Sequence, residues 1–233
     1  MSLRHLSCVT IAVALASSAS AEIVCGWSIT TAFPTGTGNV PTGNTYSVGA
    51  GDLGVQTTGS ELMSFHTLAA ATYTSPSGNG SQYGFSSNNW SVGDYYQATV
   101  STLGYSDIYL SWDQTRSSTG PASFELAMST DGGTSFNIVN VAGAASYTVL
   151  QSGGAGAPAT WSTTTYNAIY TNTVSIAAAD NLSQVIFRFR SLVTTAAAGS
   201  SRIDNVIVSS GPVPAPGAIA LLGLAGLATR RRR

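Results

Sequence analysis

Gln184-Val185-Ile186-Phe187-Arg188-Phe189-Arg190-Ser191 sets Val185, Phe187 and Phe189 on one side of an extended chain and Arg188 and Arg190 on the other. Successive side chains of a strand point to opposite faces, so a period of two marks a strand with one face in a core and one in water. The same period recurs at 107–113, where Ile108, Leu110 and Trp112 share a face. It recurs again at 123–129, where Phe124, Leu126 and Met128 oppose Glu125. Residues 203–208 are apolar and mostly β-branched apart from Asp204 and Asn205, which suits a strand covered on both sides. Further strands are expected at 24–30, 62–74, 95–101, 135–141 and 168–176.

Turn chemistry separates these segments: Ser77-Gly-Asn-Gly80, Asp131-Gly-Gly133 and Gly153-Gly-Ala-Gly156. Thr130-Asp-Gly-Gly-Thr134 lies between two alternating segments and reads as a hairpin. Between the two ends of the chain no window has helical periodicity, although 177–182 is suited to a single helical turn. About nine or ten short strands in one domain predict an all-β, two-sheet antiparallel β-sandwich. A jelly-roll-like winding is the first expectation and an immunoglobulin-like one the alternative.

Charge narrows the function. Lysine is absent, and the body holds only Arg116, Arg188, Arg190 and Arg202. Four arginines against ten acids leave it six charges negative. Phosphate binding needs a basic footprint, so no nucleic-acid partner is expected.

The two ends read as sorting signals. Arg4 and His5, an apolar run at 9–16 and Ala19-Ser20-Ala21 form a secretory signal peptide over 1–21, cut by signal peptidase before Glu22. The sandwich domain is assigned to 22–211 and a sorting tail to 212–233. The tail opens with Pro212-Val213-Pro214-Ala215-Pro216-Gly217, a break that neither helix nor sheet ladder continues. A short hydrophobic helix over 218–228 follows, about half the roughly 20 residues that a stable span needs. Arg230, Arg231, Arg232 and Arg233 then hold the end on the cytoplasmic side. Such a segment pauses in the inner membrane as a transient intermediate.

This three-part tail resembles the PEP-CTERM sorting signal of bacteria that make exopolysaccharide, with Ala215 where the name-giving Glu stands. The resemblance implies processing by an exosortase, an integral-membrane transpeptidase. It also implies display at the cell surface or in an extracellular matrix, with exopolysaccharide as a partner. Part of the body is similar to bacterial extracellular jelly-roll modules shaped like carbohydrate-binding domains. The shared residues are Trp90-Ser-Val-Gly-Asp-Tyr-Tyr96, Arg116-Ser-Ser-Thr-Gly-Pro121, Ser129-Thr-Asp-Gly-Gly-Thr-Ser-Phe136, Phe187-Arg-Phe-Arg190 and Arg202-Ile-Asp-Asn-Val206.

Catalytic chemistry is sparse. His66 is the one histidine of the body, and no partner for a Ser-His-Asp relay is evident from its neighbours. One histidine and one cysteine, Cys25, make no ordinary zinc site. Glycosidases use two acids, and Glu61 and Glu125 lie 64 positions apart. Asp204 is placed on one strand face with Val206 and Val208, so its buried carboxylate needs a partner. That partner is a structural calcium ion, Arg188, Arg202 or the amide of an edge loop; the jelly-roll resemblance points to calcium, and no other cofactor is expected. Asp131 reads as a turn former. Trp90 and Trp161 border Ser-, Asn- and Thr-rich stretches and are the candidate sugar-stacking residues, with Tyr95 among the further aromatics.

Three functions are in view: a non-catalytic surface or matrix protein associated with exopolysaccharide, a carbohydrate-binding module, and a secreted hydrolase. Clustered exposed aromatics on one sheet would favour the second. Two close carboxylates in a cleft would favour the third.

Overall fold

Apolar residues at every second position need a second sheet to cover them, and the chain supplies one. The computed structural model describes residues 21–32, 38–40, 45–67 and 71–212. Its strands are β1 (Glu22–Trp27), β2 (Gly38–Val40), β3 (Thr45–Gly49), β4 (Glu61–Phe65), β5 (Ala71–Thr74), β6 (Phe85–Asn88) and β7 (Tyr95–Val100). They continue with β8 (Ile108–Arg116), β9 (Ser123–Ser129), β10 (Asn137–Val139), β11 (Tyr147–Thr148), β12 (Thr171–Ser175), β13 (Val185–Ser191) and β14 (Ser200–Ser210). Helix among the described residues is limited to short 3₁₀ turns, one of them at Ala177–Ala179 where a helical turn is expected.

Sheet A runs β12-β8-β14-β6-β5-β2, with β1 also paired to β14. Sheet B runs β10-β9-β13-β7-β4-β3, with β11 also paired to β9. These strand pairs are all antiparallel. From β6 to β9, and again from β11 to β14, every connection crosses from one sheet to the other. That is jelly-roll winding, and the immunoglobulin alternative falls away.

The core lies between the sheets. β13 sits in the middle of sheet B, paired to β7 on one side and β9 on the other. Its Val185, Phe187 and Phe189 are fully buried, as are Ile108, Leu110 and Trp112 from β8 and Phe124 and Leu126 from β9. Cys25 is buried in the same core as an unpaired thiol.

Four departures from the sequence reading have physical causes. The stretch 62–74 is not one strand, because the chain leaves sheet B after β4 and joins sheet A as β5. β6 reads Phe-Ser-Ser-Asn, with little apolar signal, yet its serines are buried and hydrogen-bonded. The segment 168–176 begins with a 3₁₀ turn at Ala168–Tyr170 before β12. In β14, Ile203, Val206 and Val208 all belong to the core, a spacing that period two does not allow. A bulge makes the difference: the register with β8 shifts between Asp204 and Ile207, and Asn205 has φ 46°. Asparagine tolerates that left-handed backbone better than most residues. Asp204 is therefore buried, but on the face away from Val206 and Val208.

At 130–134 the hairpin forms as read. Gly132 and Gly133 take φ of 72° and 90° there. Asp131 accepts from the Ser135 hydroxyl and amide and from the Ser129 hydroxyl, which hold its carboxyl well below the usual range. The cleavage residue Ala19, the motif Val213 to Gly217 and Arg230 to Arg233 lie outside the described residues, whereas Ala21 and Glu22 open the described fold. Among the described residues no helix is long and apolar enough to cross a membrane.

This register makes neighbours on β13 and β10 unequal. Phe187→Ala should lower unfolding free energy by about 3–5 kcal/mol, as for other buried aromatics. Ile138→Ala, on the outer side of β10, should cost under about 1 kcal/mol. Urea denaturation of both variants measures the contrast, and equal losses would contradict the register.

Candidate functional site

The structure answers the missing partner of His66. Its Nδ1 lies 3.0 Å from Asp94 Oδ2 and its Nε2 lies 3.1 Å from Ser87 Oγ. That is the order of a nucleophile, base and carboxylate. Burial would raise the Asp94 pKa, but hydrogen bonds from His66 and from the amides of Thr67 and Ser91 outweigh it and hold the group low. Each of the three residues is at most 1% exposed. The imidazole is packed against Tyr73 and Trp90, and Ser87 Oγ also meets Tyr96 Oη at 3.3 Å. Substrate would have to open the core to reach this serine, so the arrangement serves as an internal tie between β4, β6 and β7.

A second polar cluster lies on the outer face of sheet A, under the loops 76–84 and 159–170. Strand pairing sets Asp204 opposite Asp113. Asp113 accepts from Thr171 Oγ1 at 2.5 Å, Asn79 Nδ2 at 3.0 Å and Asn205 Nδ2 at 2.7 Å. Asp204 Oδ2 accepts from the Asn79 amide at 2.7 Å and from Ser81 Oγ at 2.5 Å, while its buried Oδ1 has no partner. Burial, reinforced by the charge of Asp113, pushes Asp204 up to about 7. The expected calcium ion does not fit this donor set. Calcium wants six to eight oxygens, whereas the groups converging on these carboxylates are amide and hydroxyl donors. Among the described residues no group of three or more His, Cys, Asp or Glu is placed to hold a metal.

Both tryptophans singled out by the sequence are buried. Trp90 is 0% exposed and donates to the Ser87 carbonyl. Trp161 is 7% exposed, donates to the Ser77 carbonyl and meets Tyr170 edge-on. Neither offers a face to a sugar. The serines before Trp90 belong to strand β6, and its ring packs among His66, Tyr96 and Phe124 in the core. The two glutamates also part: β4 and β9 are three strand steps apart in sheet B, roughly 14 Å at about 4.8 Å each. A glycosidase pair needs about 5 to 10 Å.

What remains is the outer face of sheet B. Strand pairing sets Phe65, Tyr95, Arg190 and Glu125 in one cross-strand row. The next row holds Met63, Gln97, Arg188, Ala127 and Ile138. Phe65 stacks on Tyr95 with ring centroids 5.3 Å apart. The Arg188 guanidinium carbon lies 4.2 Å from the Tyr95 ring centre and 3.9 Å from that of Phe136, which precedes β10. Arg188 Nε donates to Gln97 Oε1 at 2.7 Å, and Arg190 pairs with Glu125 at 2.6 Å. Phe65, Tyr95, Arg188 and Phe136 are all half-buried. A cleft of about 230 Å³ adjoins them, lined by Val92, Tyr95, Glu125, Arg188 and Leu192. Burial lowers the Arg188 pKa, Tyr95 opposes this and Arg190 adds repulsion, yet a guanidinium stays charged at neutral pH. Of this ladder the sequence reading named Tyr95. Phe65, Arg188 and Phe136 were missed, although the outward alternation of Arg188 and Arg190 was in view.

No protein-family model matches the chain. No curated protein matches it. Matching solved structures include the CBM22-1-GH10 modules of Clostridium thermocellum xylanase 10B with xylohexaose, at 14% identity and TM-score 0.43. That match covers 84% of this chain and 30% of the other, so the chain spans under a third of that protein's length. The K3 cleaved adhesin domain of Lys-gingipain from Porphyromonas gingivalis matches at 13% identity and TM-score 0.42, over 82% of this chain and 100% of that one. A family 11 carbohydrate-binding module of Clostridium thermocellum with a β-1,3-1,4-mixed-linked tetrasaccharide matches at 13% identity and TM-score 0.37, over 85% and 100%. The fold of this chain rests on its own strand pairing.

Asp204 makes stability depend on pH. A carboxyl whose pKa rises on folding stabilises the fold while protonated, fully so below its ordinary 3.8, and loses that contribution as pH climbs through about 7. The melting temperature should therefore rise as pH is lowered from 8 to 5. Asp204→Asn should remove most of that slope, and calcium should leave the wild-type melting temperature unchanged. A slope that persists in the variant, or a calcium-dependent rise, would contradict this reading of the cluster.

Proposed function

We propose that the chain is a non-catalytic exported protein of the cell surface or extracellular matrix that binds polysaccharide across the outer face of sheet B. One observation carries this: the ladder Phe65, Tyr95, Arg188 and Phe136, held half-exposed on three adjacent strands and a hairpin. Aromatic edges and Ile138 give apolar surface to the C–H groups of a sugar. Guanidinium N–H groups of Arg188 donate to its hydroxyls, and Glu125 accepts from them. Because the side chains already hold one another, binding spends little on ordering them.

Their positions keep the groups that could catalyse a reaction away from substrate or from one another. The Ser87–His66–Asp94 relay is sealed in the core, Asp113 and Asp204 are sealed under loops, and Glu61 and Glu125 are too far apart. In this proposal the PEP-CTERM-like tail carries the domain through an inner-membrane intermediate to an exosortase, which releases it at the surface into exopolysaccharide.

Two experiments test the proposal. In affinity electrophoresis through the host's exopolysaccharide, Phe65→Ala/Tyr95→Ala should weaken retention by about tenfold, the scale of one lost stacking contact. Val55→Ala, far from the face, should leave it unchanged. Equal retention of all three proteins would remove the face from the reading. Separately, the intact mass of protein recovered from its host should lack the Arg-rich tail, and deletion of 213–233 should release protein to the medium. A retained tail in the inner membrane would reject the sorting route.

A further inference from the structure

We infer that the polysaccharide bound by sheet B carries carboxylate groups and that Arg188 is the residue that reads them; this rests on the polysaccharide-binding reading above. The four cations of the body are used very differently. Arg116 is spent on backbone: it donates to the carbonyls of Val149, Ser117 and Ser118. Arg190 is neutralised by Glu125. Arg202 lies on the opposite sheet, in β14. Arg188 is held by a neutral partner, Gln97, through Nε alone. Among the described residues no carboxylate lies within ion-pair distance of it, and its two Nη groups make no hydrogen bond.

The two rings do more than cover the cation. Flanking Tyr95 and Phe136 hold the guanidinium in place, and the Nε bond fixes its in-plane rotation. The fork formed by Nη1 and Nη2 is thereby pre-set, the geometry that matches both oxygens of a carboxylate. A hydroxyl would use one of these donors at a time. The charged groups beside this position are Arg190 on β13 itself and Glu125 on the adjacent β9, which pair with each other, so the local field is that of one free cation. The acidic remainder of the domain is screened beyond about 8 Å at physiological salt. Two ring faces and Gln97 hold this half-buried arginine in place, and its outward Nη donors are left for an anion to meet.

The test uses the host's exopolysaccharide in two forms, native and with its carboxyl groups reduced to alcohols. Wild-type protein should bind the native polymer about tenfold or more tightly than the reduced one, the scale of one charge-assisted hydrogen-bonded contact. Arg188→Gln should bind both forms equally. Arg188→Lys, which keeps the charge and loses the fork, should recover only part of the preference. Because the wild-type comparison needs no variant, the inference is testable even where Arg188→Gln folds poorly. Equal wild-type binding to the two forms would overturn the carboxylate assignment and leave polysaccharide binding standing. Binding to neither form would overturn both. Equally tight binding to poly-glutamate would identify the face as a reader of acidic protein and reject the polysaccharide as its occupant.

Discussion

A strand shows its side chains to two faces in strict alternation, so fixing one face fixes the other. β13 imposes that constraint on the whole molecule. Its position between β7 and β9 is set by burying Val185, Phe187 and Phe189 against the apolar face of sheet A. The same register then leaves no choice about Arg188 and Arg190, which must stand on the outer side. A slip of one residue would bury two guanidinium groups and expose two phenylalanines. The core thus holds the candidate site in place: Arg188 is aimed at solvent, beside Tyr95 and Phe136, by the burial of its neighbours.

The polar residues that are buried serve a different end. His66, Asp94 and Ser87 come from three segments and are tied by mutual hydrogen bonds in a place where an unpaired polar atom would be expensive. Asp113, Asp204, Asn79 and Asn205 do the same on the outer side of sheet A, where they pin two long loops to β8 and β14. Each group looks like chemistry when only residue types are compared. Burial decides against it, because a reacting group must meet its substrate. The outer face of sheet B is the contrary case, with fewer polar residues that are open to solvent.

Much of this was legible in the sequence, and the failures share a cause. The alternation in β8, β9 and β13 is a local signal, so those strands, the hairpin at 130–134 and the two-sheet architecture could be read directly. β6 could not, because its buried serines are satisfied by Ser201 and Tyr96 far along the chain. Asp204 was set on the wrong face because a bulge at Asn205 leaves no mark in a pattern of apolar residues. Trp90 and Trp161 border polar runs, yet their indole N–H groups are held by Ser87 and Ser77 and their rings are covered. The partners of His66 lie 21 and 28 positions further on, a pairing that only the crossing of β4, β6 and β7 creates. The ladder was half legible: Arg188 and Arg190 point outward by period alone, while Phe65 and Phe136 join them only through strand order.

The most direct measurement is a backbone-amide NMR titration of the isotopically labelled domain with an oligosaccharide cut from the host's polysaccharide. Shift changes confined to β4, β7, β13 and the 130–137 hairpin, with β8 and β14 unmoved, are the expected result. Changes centred on the loops over Asp113 and Asp204, or on His66 and Ser87, would contradict the account and move the binding site to the other side of the sandwich or into its core.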